Sequence, residues 1–223
     1  MTNRSDILGK IKASRGQTDE AARVRAVAAR LALPPRQPAV ARVGAAGTNL
    51  RAVFEAEATR NLATVMATAT ADDIPPAIAS YLRQHNQPPG LRHGADPLLS
   101  AIDWTSAPGL AIAQGAADPA DTAGLSVAAA GVAETGTLVL ASGADNPVTL
   151  GFLPETHIVV LRAADIVATY EDAYDRIRAR LGPAQMPRTL NLISGPSRTA
   201  DIGGRIVIGA HGPRRMAVLI LDS

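Results

Sequence analysis

The sequence predicts an α/β fold with a largely parallel sheet flanked by helices. Three observations carry this. From Asn49 onward, short apolar runs rich in β-branched residues alternate with stretches of helical period. Gly and Pro clusters such as Gln87-Pro88-Pro89-Gly90 and Gly182-Pro183 separate them. The 223 residues are 47% hydrophobic and contain no Cys, which is enough chain to bury a sizeable core without disulfides or a structural metal. With two Phe, one Trp and three Tyr, that core has to be built from Ala, Val, Leu and Ile.

The chain opens with a helical extension. Arg4–Ser14 sets Ile7, Leu8 and Ile11 at helical spacing, with Asn3 or Ser5 as N-cap. Asp19–Leu33 reads as a second helix, stopped by Pro34-Pro35. The stretch Ala32–Thr48, with Pro34, Pro35, Pro38, Gly44 and Gly47, reads as a linker or long loop. The expected division is therefore an arm and linker over 1–48 and a body over 49–223. The arm suits packing on the body or on a second subunit, its Ala-rich helix offering a homodimer contact; it suits equally a solvated hairpin without a role.

Within the body, Leu50–Asn61 is predicted as a helix and Ala63–Ala69 as the first strand. Asp72–Asn86 begins with acids and prolines, as a helix N-terminus does. A short strand at Leu91–His93, a helical turn at Pro97–Asp103 and a strand at Gly109–Ala113 follow, and Ala120–Leu125 leads into Ser126–Ala130. Thr137–Ala141 is a strand punctuated by Gly136, Asn146–Pro154 a loop or short strand, and His157–Arg162 a core strand. His157, at its start, reads as a hydrogen-bonded structural residue. Asp165–Leu181 is a helix with Tyr170, Ala173, Tyr174, Ile177 and Leu181 on one face and Arg176, Arg178 and Arg180 near its C-terminal end, complementing the dipole. Thr189–Ile193 and Arg205–Ile208 are strands, and Met216–Leu221 closes the sheet.

Composition excludes several function classes. Twenty of the 22 basic residues are Arg and the net charge is +2, so the basic balance points to no nucleic-acid partner. Without Cys there is no thiolate catalysis, no thiolate-held iron–sulfur cluster and no Cys-type zinc site. No apolar signal core follows the polar start, and no run approaches the ~18–20 apolar residues of a membrane span, so a cytoplasmic protein is expected. The phosphate-loop pattern GxxxxGK[ST], the dinucleotide pattern GxGxxG, the elbow GxSxG and HExxH are all missing.

Polar chemistry concentrates in Leu192–Pro213, reading LISGPSRTADIGGRIVIGAHGP. Two apolar runs there end in small residues, hydroxyls, one Arg, one Asp and one His. Glycine lets backbone approach a ligand closely, and open α/β sheets bind ligands at strand ends. The same residues also suit plain turns. A second candidate is Glu134 in GVAETGTLVLASG, two residues before a Gly-punctuated strand: a solvent-facing loop residue, or, if buried, a carboxyl raised by desolvation and fit to act as base or nucleophile.

The blocks VAETGTLVLASG (132–143), LPETHIVVL (153–161), ISGPSRTADI (193–202) and GAHGPRRMAVLILD (209–222) resemble the LUD domain, and more closely the stand-alone proteins of the lactate-utilisation protein C family. The opening NRSDILGKIKAS is similar to that family's N-terminal helix. The resemblance implies a fold like the NagB/RpiA/CoA-transferase superfamily, with a mixed sheet. It also implies a part in oxidation of L-lactate to pyruvate beside two iron–sulfur-binding proteins of one operon. This chain, having no Cys, holds no such cluster itself; electrons belong to partners or to a non-covalent cofactor that the sequence does not announce. By analogy with transferases of that superfamily, Glu134 is the expected nucleophile. Ser194, Gly195, Ser197, Arg198 and Thr199 form the expected cradle for a carboxylate or phosphate, joined by Thr135, Gly136, Thr137, Pro196 and Gly212. Asp201 would orient Arg198 or cap a short helix, and His211 would shuttle a proton. Three readings follow: a component of a lactate-oxidising dehydrogenase complex, an independent acyl- or CoA-transferase using Glu134, and a non-catalytic regulatory subunit.

Overall fold

The computed structural model describes residues 3–14, 19–33, 36–182 and 185–222. The side chains at 201 and 202, and the helix stops Pro34, Pro35 and Pro183, lie outside the described residues. Two compact units result, Met1–Pro38 and Ala39–Ser223. The first holds α1 (Arg4–Ser14) and α2 (Glu20–Ala32). The Asp19 carboxylate caps α2 by accepting from the amides of Ala21 and Ala22 at 2.9 and 3.2 Å.

In the second unit a single turn, α3 (Ala41–Gly44), forms inside the stretch read as a linker, because Val43 is apolar and buries in the core. Next come α4 (Leu50–Arg60), β1 (Thr64–Thr68), α5 (Ile74–Gln84), β2 (Gly90–His93), α6 (Pro97–Ser100), β3 (Ala111–Gln114) and β4 (Ala123–Val127). The chain continues through β5 (Ala130–Val132), β6 (Thr137–Ala141), β7 (Thr156–Arg162), β8 (Ile166–Val167), α7 (Tyr170–Leu181), β9 (Leu190–Ile193), β10 (Arg198–Ile202), β11 (Arg205–Ile208) and β12 (Arg215–Leu221).

Six strands form one wholly parallel sheet in the order β1-β12-β7-β4-β2-β3. A second sheet, β8-β5-β6-β9, is mixed. The period of two along the strands assigns their faces. On β7, Ile158 and Val160 join Ala217 and Leu219 of β12 under Ile74, Ile78 and Leu82 of α5. Val159 and Leu161, with Val218 and Ile220, instead face Phe54 and Ala58 of α4 and Leu138 and Leu140 of the second sheet. The opposite side of that sheet packs Val132 and Val139 on Ala173 and Ile177 of α7. Each fully buried Leu or Ile in these layers contributes ~1.5–3 kcal/mol.

The strand expected over Met216–Leu221 is present as Arg215–Leu221 and lies inside the sheet between β1 and β7. Two expectations are corrected. The helix expected over Asp165–Leu181 begins only at Tyr170. Ile166 and Val167, both β-branched, pair with β5, and Thr169 then starts the helix through a reciprocal capping box with Asp172. Finally, the strand-end loop expected after Ile193 contains a strand. Arg198–Ile202 pairs antiparallel with Arg205–Ile208 across a Gly203-Gly204 turn, making a two-stranded hairpin apart from both sheets.

Candidate functional site

A cavity of about 520 Å³ lies where the second sheet overhangs the amino ends of β7 and β12. Its floor includes His157 and Met216, register partners near the starts of those strands, and Gly151 and Phe152 form one side. The rest comes from Leu190 to Arg198 and from His211 to Pro213.

Local geometry explains how the two polar blocks meet. Gly195 has φ +84°, and a Cβ there would sit 2.0 Å from the Asn61 carbonyl oxygen, so the chain leaving β9 turns tightly against the end of α4. The Ser197 amide donates to the Pro213 carbonyl, and the Ser197 carbonyl accepts from the Gly209 amide, both at 2.9 Å. These two bonds pin 194–198 to 209–213 as one wall. Ser194, Gly195, Pro196, Ser197, Arg198, His211 and Gly212, all expected site residues, line the cavity. Thr199 pairs with Val207 in the hairpin, outside the lining. The Asp201 side chain lies outside the described residues. Arg198 is exposed, and no carboxylate among the described side chains pairs with it.

The site does not follow the rule that ligands of parallel sheets sit beyond the carboxyl ends of the strands. This cavity opens at the amino ends of β7 and β12. The reason is connectivity: the segment after β9 leads into β12, so its residues are delivered to the start of that strand.

Glu134 occupies a different place. With Ala133, Thr135 and Gly136 it makes the turn between β5 and β6, half-buried and outside the cavity lining. Gly136 takes φ +63°, where a Cβ would stand 2.3 Å from the Ala58 amide nitrogen. Arg42 donates to the Glu134 carbonyl, and the Asn61 amide group donates to the Thr135 carbonyl at 2.9 Å. The backbone of this motif is thereby clamped to α3 and to the end of α4. Nearby, the buried Glu57 carboxylate is held by Arg60 through both oxygens at 2.9 Å.

A hydroxyl cluster joins that turn to the cavity. Thr137 Oγ1 lies 2.7 Å from Thr135 Oγ1, 2.9 Å from the Tyr170 hydroxyl and 2.6 Å from Ser194 Oγ, while Thr135 and Tyr170 are 3.0 Å apart. Thr137 is fully buried and Ser194 lines the cavity. Tyr170 was legible in the sequence only as part of the α7 apolar face.

His157 is the cavity residue with the most perturbed chemistry. Its Nε2 is 3.1 Å from Ser126 Oγ, and its buried Nδ1 has no partner among the described residues. Burial pushes its pKa down to about 4, so the ring is neutral at pH 7. Gly151 packs on the ring, where a Cβ would approach Cε1 to 3.1 Å. The expected structural bond is present, and the ring also lines the cavity. The buried His157 and the exposed His211 thus give the cavity lining two histidines of different environment.

No group of three or more His, Cys, Asp or Glu among the described residues is placed to hold a metal ion. No helix among them is long and apolar enough to cross a membrane.

Comparison with known proteins gives a match to the LUD domain over residues 51–221. Lactate utilization protein C of Shouchella clausii is 34% identical over 91 residues, covering 41% of this chain and 40% of that protein. The uncharacterized protein NMB1437 of Neisseria meningitidis is 38% identical over 99 residues, 44% of this chain and 42% of that one. The aligned stretches thus span less than half the length of these relatives. A crystal structure of a DUF162 family protein from Deinococcus radiodurans superposes with a TM-score of 0.56 at 22% identity, over 77% of this chain and 96% of that one, a likeness of fold.

Proposed function

Because the chain belongs to the LUD-domain family, we propose that it is a component of an L-lactate utilisation system and that its cavity holds a small ligand bearing a carboxylate or phosphate. The observation that supports this reading is the single wall made from two polar blocks. Ser194, Ser197, Arg198 and His211 converge there on one cavity, and Arg198 brings a cation that no described carboxylate neutralises. A guanidinium grips a carboxylate through two parallel hydrogen bonds, and hydroxyls beside it select orientation.

In this reading the ligand is L-lactate and the cavity takes part in its oxidation to pyruvate. Arg198 holds the carboxylate, and His211 accepts the proton that leaves the substrate hydroxyl. The C2 hydrogen leaves with its electron pair to a hydride-accepting cofactor beside the substrate, and the two electrons then pass to the iron–sulfur proteins of the same system, since this chain has no Cys to hold a cluster. A three-carbon acid fills on the order of 100 Å³ at protein packing density. The cavity, at about 520 Å³, therefore has room for an electron-accepting group beside it. Glu134 stands on a turn that the hydroxyl cluster joins to this wall, so its part is to shape the cavity's edge or to meet a partner.

A thermal-shift series on the full chain with L-lactate, pyruvate, phosphate and coenzyme A, paired with a gene deletion, tests the reading. Ligand at 100 times its Kd raises stability by roughly 2.7 kcal/mol. The expected outcome is a shift with a carboxylate that Arg198→Ala abolishes, together with lost growth on L-lactate. Normal growth in a strain lacking other lactate oxidases refutes the lactate role. A coenzyme A thioester trapped on Glu134, lost in Glu134→Gln, would replace it with acyl transfer.

A further inference from the structure

We propose that Ser194 offers the cavity lone pairs and no proton, so that the ligand must donate a hydrogen bond at this point. The inference follows from counting protons in the hydroxyl cluster, and it rests on the reading that this cavity is the ligand site. A Ser, Thr or Tyr hydroxyl has one proton to donate. Thr135, Thr137 and Tyr170 are mutually in contact, at 2.7, 2.9 and 3.0 Å. Three contacts in a ring consume three protons, one from each member. The fourth contact, Thr137 to Ser194, is the shortest at 2.6 Å and has only the Ser194 proton left to fill it. Thr137 is then saturated, donating once and accepting twice. Any other assignment leaves two oxygens facing each other through lone pairs at hydrogen-bond distance. Among the described residues, none of the four hydroxyls has a further partner that would change the count.

The consequence is chemical selectivity. With its proton committed inward, Ser194 accepts but cannot donate. In the resting complex a 2-hydroxycarboxylate satisfies it through the alcohol O–H while Arg198 takes the carboxylate, and the O–H turns from Ser194 to His211 only for the proton transfer. A 2-oxocarboxylate of the same shape brings carbonyl lone pairs against the lone pairs of Ser194. Ser194 is exposed on the cavity wall; once a ligand displaces water from it, an analogue that lacks the proton leaves its lone pairs unpaired and is rejected. The ring therefore distinguishes an alcohol from the ketone formed by its oxidation, favouring retention of one and release of the other.

Opening the ring at either corner should erase the distinction. In Tyr170→Phe or Thr135→Val, Thr137 needs only one proton from its remaining partner and gains the freedom to donate to Ser194, whose own proton then turns to the cavity. The test is calorimetric titration of the full chain and both variants with L-lactate, pyruvate and propionate, the last having a carboxylate but no oxygen on C2. Wild type should bind L-lactate at least about tenfold more tightly than pyruvate. Either variant, provided it folds, should bring the two within about threefold, chiefly by improving pyruvate. Equal affinities in wild type, or a ratio that persists in both variants, overturn the proposal while leaving the cavity as the carboxylate site. Failure of all three acids to bind overturns the cavity reading and this inference together.

Discussion

The buried His157 makes the stability of this protein depend on pH in a way that can be calculated. In the fold its pKa is about 4, against an ordinary value of 6.5, because burial disfavours the charged ring. Above pH 6.5 the ring is neutral in both folded and unfolded chains and contributes no pH dependence. Below 6.5 the unfolded chain takes up a proton that the folded chain refuses, so stability falls as pH falls, until the folded ring also titrates near 4. At about 1.36 kcal/mol per pH unit, the loss reaches about 2 kcal/mol by pH 5 and about 3 kcal/mol by pH 4. The residue is 1% exposed, so solvent screening does not reduce this. Urea unfolding at pH 7.5 and pH 5.0 reads it, with His157→Gln as the reference that carries no imidazole. Wild type should lose about 2 kcal/mol more than the variant between the two conditions. Equal losses would refute the neutral buried imidazole.

Other expectations concern the backbone and the cavity wall. Gly136→Ala places a Cβ against the Ala58 amide at a positive φ and should destabilise by roughly 2–4 kcal/mol, read as a lowered urea midpoint; a change under about 0.5 kcal/mol would mean that α4 does not clamp this turn. Ser126→Ala removes the partner of His157 Nε2, leaves both ring nitrogens without a partner among the described residues and should lower stability by about 1–3 kcal/mol. Arg198→Ala, at an exposed position, should leave the melting temperature nearly unchanged yet weaken carboxylate binding about tenfold or more, measured by titration.

The layers of this fold were legible because β7 and β12 are continuous apolar runs, as strands covered on both faces must be. Two of the signature blocks also meet in space, since 194–198 and 211–213 line one cavity. Other features left no local trace. The strand Arg198–Ile202 has a polar sequence and exists because Arg205–Ile208 folds back on it. Ile166-Val167 is too short to interrupt a helical pattern visibly, although Thr169 and Asp172 spell the capping box that moves the helix start. The position of the cavity depends on strand order, which periodicity cannot report, and the convergence of Tyr170 with Thr137 joins residues 33 positions apart. Glu134 drew notice as a carboxylate; the contacts of its turn run through Gly136 and the carbonyls of Glu134 and Thr135, which sequence pattern does not report.

The interior position of β12 bears on how the molecule comes into being. Among the described strands β1 pairs with β12 alone, Thr64 with Ala217, so β1 waits for a segment synthesised long after it. Until then β1 presents Val65 and Met66 without a partner, and β7 lacks one of its two flanking strands. Pairings so distant in sequence form slowly and leave sticky edges open meanwhile. A nascent chain stalled before Arg215 would hold the parts of a sheet without its middle, and maturation becomes an insertion rather than an accretion.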